Sequence, residues 1–213
     1  MTYPLDRKLI VEFIGMFIFM FTVGMATNHA GAGVLAPLAI GAVLMVMVFA
    51  GGHISGAHYN PAVTLGIWMR GKIETRDVAG YVIAQIAGAV LAALAVKYLK
   101  VGVEVVPMNL PILPALLAEF LFTFALVFVV LNTATAKGTA GNSFYGLAIG
   151  FTVMAGIYAV GGISGGVFNP GVAVGISILG LSAWSSIWIY LVANFAGGAV
   201  AAVAFKAVNP GDN

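Results

Sequence analysis

Two asparagines, Asn60 and Asn169, carry the chemistry most readily read from this chain. Each stands directly before a proline, in Asn60-Pro61-Ala62 and Asn169-Pro170-Gly171, and the second triplet follows the first by 109 residues. A primary amide presents two N–H donors and a carbonyl acceptor without a formal charge. Asparagine is also a favoured N-cap, and proline suits the first helical position because its missing N–H has no partner there. Each triplet therefore reads as the start of a short helix, over Pro61–Met69 and Pro170–Leu179. A helix N-terminus carries unpaired N–H groups and about half a positive charge. Two such ends brought together offer hydrogen bonds to a neutral solute and repel a cation or a hydrated proton. One triplet alone is no more than a helix start; two at matched repeat positions imply a shared site.

The elements that position these triplets belong in a membrane. Of 213 residues, 62% are hydrophobic and 8% charged, against about 25% charged in soluble domains. Mean hydropathy is +1.08. A soluble chain this short could not hide so much apolar surface, so the bilayer is part of its solvent. A spanning helix needs roughly 20 apolar residues. Six stretches qualify: Leu9–Thr27, Leu35–Gly51, Val78–Tyr98, Ile112–Leu131, Phe144–Val160 and Ala183–Phe205. The first is too long for a signal-peptide core and reads as a span. The two short helices can cross only half the membrane each.

The repeat extends well beyond the triplets. Gly52-His53-Ile54-Ser55-Gly56 returns as Gly161-Gly162-Ile163-Ser164-Gly165, Leu38-Ala39-Ile40-Gly41 as Leu147-Ala148-Ile149-Gly150, and Tyr81 and Gln85 as Tyr190 and Asn194, all 109 residues on. Glu12-Phe13 returns as Glu119-Phe120 after 107. Each half, about 8–100 and 112–207, holds three spans and one half-helix. Three is odd, so the second half enters from the opposite side and the repeats are inverted. Residues 1–213 thus form one all-α membrane domain. With the N-terminus inside, seven basic residues face the cytoplasm (Arg7, Lys8, Arg70, Lys72, Arg76, Lys137 and Lys206) and two, Lys97 and Lys100, face outward. The positive-inside rule selects that orientation, with both termini cytoplasmic.

Other functions are excluded by what is missing. There is no cysteine, hence no disulfide framework and no thiol nucleophile. A net charge of +2, spread over loops and termini, does not suit nucleic acid. No nucleophile–base pair, phosphate-binding loop or metal cluster is visible, so the chain does not read as an enzyme and calls for no metal or cofactor. His53 and His58 lie in the glycine-rich run before Asn60, without a nearby Cys, Asp or Glu to complete a metal site.

These features resemble the aquaporin, or major intrinsic protein, family. The likeness rests on the Gly52-His53-Ile54-Ser55-Gly56-Ala57-His58-Tyr59-Asn60-Pro61-Ala62-Val63 run, the paired triplets, the six spans and the span glutamates Glu12 and Glu119, and it covers nearly the whole chain. It implies six transmembrane helices plus two half-membrane helices, assembled as a homotetramer. It also implies passive conduction of water or small uncharged solutes, without cofactor. Glu12, Glu119, His53, His58, Ser55 and Ser164 are expected to brace the irregular loops His53–Tyr59 and Gly162–Phe168, whose polar backbone must be satisfied at membrane depth.

One departure from the family pattern is consequential. Family members usually continue the second triplet with arginine, and this chain has Val172 there. The other positions of the family's outer constriction fall on Ile40, Ile157 and Gly166, so the ring carries no side-chain donor. The expected constriction is wider and less polar, favouring ammonia, hydrogen peroxide, glycerol or urea alongside water. Two readings compete: a proton-coupled secondary transporter using Glu12 and Glu119, and a closed structural or adhesion member of the family. The brevity of the chain resembles a prokaryotic member of the cytoplasmic membrane. Arg70–Asp77 reads as a solvated cytoplasmic loop, and His29 as a solvated outer-loop residue.

Overall fold

A computed structural model describes residues 3–27 and 31–212; His29 lies outside them. Among the described residues eight α-helices form: α1 (Leu5–Thr27), α2 (Ala36–Ser55), α3 (Pro61–Met69), α4 (Thr75–Leu99), α5 (Ile112–Val130), α6 (Tyr145–Ser164), α7 (Pro170–Ile178) and α8 (Ile187–Val208). All but α3 and α7 are long and apolar enough to cross a membrane, and those two have nine residues each. α5 runs on through a wider turn at Leu131–Thr135, and α8 is preceded by a tighter one at Trp184–Ser186.

The repeat read from the sequence is a repeat of packing. α1 lies against α4 and α5 against α8, while α2 and α6 cross between the halves. Small residues allow these approaches, because lipid offers helices no hydrophobic drive to associate and close van der Waals contact must supply it. A Cβ at Gly88 would come within 2.6 Å of the Phe13 carbonyl oxygen, and one at its repeat mate Gly197 within 2.6 Å of that of Phe120. At the central crossing, a Cβ at Gly41 would lie 2.7 Å from the Gly150 oxygen.

Two boundaries depart from the expectation. α2 continues through Ser55 and α6 through Ser164, so the irregular segments are only Gly56–Tyr59 and Gly165–Phe168. The physical stop is a glycine in the left-handed region at each end, Gly56 at φ +86° and Gly165 at φ +90°. His53 consequently sits in the last turn of α2, exposed, with its ring edge-on to Tyr3, and takes no part in bracing the loop. That expectation is corrected.

The segment after α3 is not simply solvated either. Arg70 is buried and its guanidinium lies 4.6 Å from the centre of the Phe205 ring. It pairs with Asp212 at 2.7 Å. The other Asp212 oxygen accepts the Lys137 backbone N–H at 2.8 Å, and Lys137 Nζ donates to the Gly211 carbonyl. This contact ties the α3 end, the α5–α6 connection and the chain end together.

Candidate functional site

Each irregular segment hangs from one buried glutamate. Glu12 accepts hydrogen bonds from Ser55 Oγ at 2.7 Å, the backbone N–H groups of His58 and Tyr59 at 2.9 and 2.7 Å, and Gln85 Nε2 at 2.8 Å. Glu119 accepts from Ser164 Oγ at 2.7 Å, the N–H groups of Val167 and Phe168 at 2.8 and 2.7 Å, and Asn194 Nδ2 at 2.9 Å. Both carboxyls are fully buried. Four donors each is the arrangement that makes such burial tolerable. Tyr81 and Tyr190 complete the frame by donating to the carbonyls of Ser55 and Ser164 at 2.7 and 3.0 Å.

The frame holds unusual backbone. Tyr59 and Phe168, immediately before the two asparagines, have φ of +46° and +50°. Non-glycine residues there cost free energy and persist only where the surroundings over-determine them. Here Glu12 and Glu119 take their N–H groups from behind. Their carbonyls are taken from in front, as described next.

The asparagines are where the sequence placed them, with a reciprocity that the sequence did not reveal. Asn60 Oδ1 caps α3 by accepting the Ala62 N–H at 2.8 Å, and Asn169 Oδ1 caps α7 by accepting that of Gly171 at 2.8 Å. Asn60 Nδ2 donates to the Phe168 carbonyl at 2.9 Å, and Asn169 Nδ2 donates to the Tyr59 carbonyl at 2.9 Å. Each half-helix cap thus grips the loop of the other repeat, and the two positive helix ends meet. One N–H of each amide is spent in this grip. The second is left for another acceptor, the Met16 sulfur at 4.0 Å from Asn169 Nδ2 being a weak and distant one.

Cavities follow one another past this junction. A cavity of about 240 Å³ is lined by Ile40, Ile157, Gly166 and Val172, all four residues of the expected ring. It shares Phe19, Val153 and Val167 with a small void of about 20 Å³ that touches Asn60 and Asn169. That void shares His58 and Val130 with a cavity of about 550 Å³ bearing Lys8 and Lys72, and Val48, Ala57 and Ile149 with one of about 500 Å³ beside Lys137. His58, beside the void, is held through Nδ1 to Thr64 Oγ1 at 3.1 Å. Sequence reasoning missed Phe19 and Leu126 as wall residues of the void. Their matched offset of 107, the same as that of the two glutamates on the same helices, was the available signal.

Comparison with known proteins agrees with this architecture. The family model described as Major intrinsic protein matches residues 2–205. Aquaporin NIP1-4 of Oryza sativa subsp. japonica is 35% identical over 217 aligned residues, covering 98% of this chain and 79% of that protein. Glycerol uptake facilitator protein-like 6 of Lactiplantibacillus plantarum is 36% identical, covering 97% of this chain and 100% of that protein. The X-ray structure of the aquaglyceroporin from Plasmodium falciparum superposes with a TM-score of 0.79 at 22% identity, over 96% of this chain and 97% of that one. With six spanning helices, two half-helices and inverted repeats clasped through Asn60 and Asn169, the chain belongs to the major intrinsic protein, or aquaporin, family of integral membrane channels.

Proposed function

We propose that this protein is a passive channel for water and small uncharged solutes, and that the solute passes between Asn60 and Asn169. The observation that carries this reading is the reciprocal asparagine grip at the waist of a file of cavities. The free amide N–H groups replace part of a solute's hydration. The two half-helix ends raise the cost of a cation or hydrated proton at the same level. The positive-inside rule supports an orientation with the 240 Å³ cavity outside and the lysine-bearing cavities and both termini on the cytoplasmic side. Ile40, Ile157, Gly166 and Val172 form an outer ring without a side-chain donor, where family members usually carry arginine. Candidate solutes are water, ammonia, hydrogen peroxide, glycerol and urea. The functional unit is a homotetramer, by family likeness, in a prokaryotic cytoplasmic membrane.

One observation weighs against a proton-coupled transporter: Glu12 and Glu119 each accept from four donors, two of them backbone N–H groups of the irregular loop, so neither is poised to exchange a proton with a solute. The cavities on both sides of the asparagines also count against a permanently closed structural member.

The test is stopped-flow light scattering on proteoliposomes, comparing water, ammonia, urea and glycerol. Water or solute flux above that of empty vesicles is expected, without saturation and without dependence on a proton gradient. Val172→Arg should slow whichever solutes the unsubstituted channel passes, by filling the outer cavity. Flux that required a proton gradient would sink the channel reading, and unchanged solute flux in Val172→Arg would remove that ring from the pathway.

A further inference from the structure

Resting on the channel reading above, we propose that size selection lies at the asparagine pair, with Phe19 as its outer threshold, and that it admits solutes no wider than a water molecule. The argument starts from volume. The ring of Ile40, Ile157, Gly166 and Val172 stands in a cavity of about 240 Å³, roomy enough for a polyol. The void at Asn60 and Asn169 has about 20 Å³. A water needs roughly 10–15 Å³ on such a measure, so the void admits one at a time. Without an arginine the outer ring has ceased to be the tightest point, and the narrow step falls deeper.

The walls of that step explain why it stays narrow. On one side the asparagine amides are each tied at 2.9 Å to the opposite loop, and the carbonyls they grip belong to residues whose N–H groups are held by Glu12 and Glu119. That wall has no room to swing aside. Apart from His58, the rest of the lining is apolar, including the repeat mates Phe19 and Leu126, and Leu44 and Val153. Width is therefore set by side-chain bulk there. Phe19 is the one aromatic among these four, is 3% exposed, and lines both the outer cavity and the void. Its ring stands where the path narrows. The solute class that follows is water, ammonia and hydrogen peroxide, which can pass in file, with glycerol and urea held back in the outer cavity.

The experiment measures glycerol and water permeability of full-length protein in proteoliposomes for the unsubstituted chain and for Phe19→Leu, Leu126→Phe and Ile157→Ala. Phe19→Leu installs the residue its repeat mate already carries, so folding is expected to survive, and retained water flux checks it. The glycerol-to-water ratio should be low in the unsubstituted chain and rise roughly tenfold in Phe19→Leu, which removes three carbons from a close apolar fit where even one methylene is worth about that much. Leu126→Phe should cut water flux itself, and Ile157→Ala, which widens only the outer cavity, should raise the ratio less than Phe19→Leu does. Glycerol crossing the unsubstituted chain as readily as water would overturn the proposal. So would a ratio raised by Ile157→Ala and not by Phe19→Leu. No flux of either through the unsubstituted chain would instead overturn the channel reading itself, and this proposal with it.

Discussion

The two halves of this protein are alike where backbone must be held and unlike where a solute would pass. Behind the loops the match is close: Glu12 with Glu119, Ser55 with Ser164, Tyr81 with Tyr190, and Gln85 with Asn194, each pair making corresponding bonds. Beside the void it fails. His58 has Val167 as its repeat mate, and Phe19 has Leu126. Thr64 receives the second bond of Gln85, while its repeat mate is Ala173; Asn194 turns instead to Thr123 on α5. The frame answers a demand that both halves share, the burial of irregular backbone in apolar surroundings, and that demand has few solutions. The side chains around the void are not under that demand, and there the two halves diverge.

The sharpest way to break the comparison is to remove one glutamate at a time. Glu12→Gln and Glu119→Gln each place an amide N–H₂ among four donors, leaving buried N–H groups unpaired. Each should lose about 3 kcal/mol of stability, read as a lower thermal midpoint in detergent. The two losses should agree within about 1 kcal/mol, because each carboxylate has four donors. A loss confined to one half would mean that the frames are not equivalent.

A smaller structural effect with a distinct readout comes from the caps. Asn60→Asp or Asn169→Asp keeps a good N-cap acceptor but removes the donor that grips the opposite loop and adds a negative charge at the helix ends. Cation conductance should appear in planar-bilayer recording, while helix content stays unchanged. An electrically silent pair of variants would count against a barrier built from the helix ends.

The smallest effect belongs to a contact present in only one half. Arg70 closes α3, and its repeat mate after α7 is Leu179. The Lys137 N–H is the main cause that holds the Asp212 carboxyl below its ordinary value, and the Arg70 charge and hydrogen bond add to it. A lowered native value means the contact contributes fully above the ordinary aspartate value, about 3.9. The contribution is then lost as pH falls through the lowered value. Asp212→Asn should lower the thermal midpoint slightly at pH 7 and make no difference once the pH is below the lowered native value. A difference that persisted in acid would show that Asp212 acts through packing instead.

Most of the architecture was legible in the residues. Asn-Pro pairs at a fixed offset, six apolar stretches and matched glutamates suffice, because membrane helices are dictated by length and hydropathy and half-helices by their caps. The bounds of α3 came out as the sequence predicts, since Asn60 and Pro61 leave little freedom at its start. The loop bounds did not, because whether a glycine-rich run stays helical depends on which glycine turns left-handed. His53 was misplaced for that reason. Arg70 read as a solvated charge, since its partner Asp212 lies 142 residues away.

The sequence by itself determined the class, the inversion and the meeting of two asparagine caps, all properties of local pattern and of parity in the number of spans. Only the tertiary structure decided that each cap grips the other repeat's loop, that four donors converge on each glutamate, and that the cavity touching the asparagines is far smaller than the one lined by Ile40, Ile157, Gly166 and Val172. Those are distances between residues far apart in the chain, set by how closely glycine-lined helices approach, and no spacing along one strand of text encodes them.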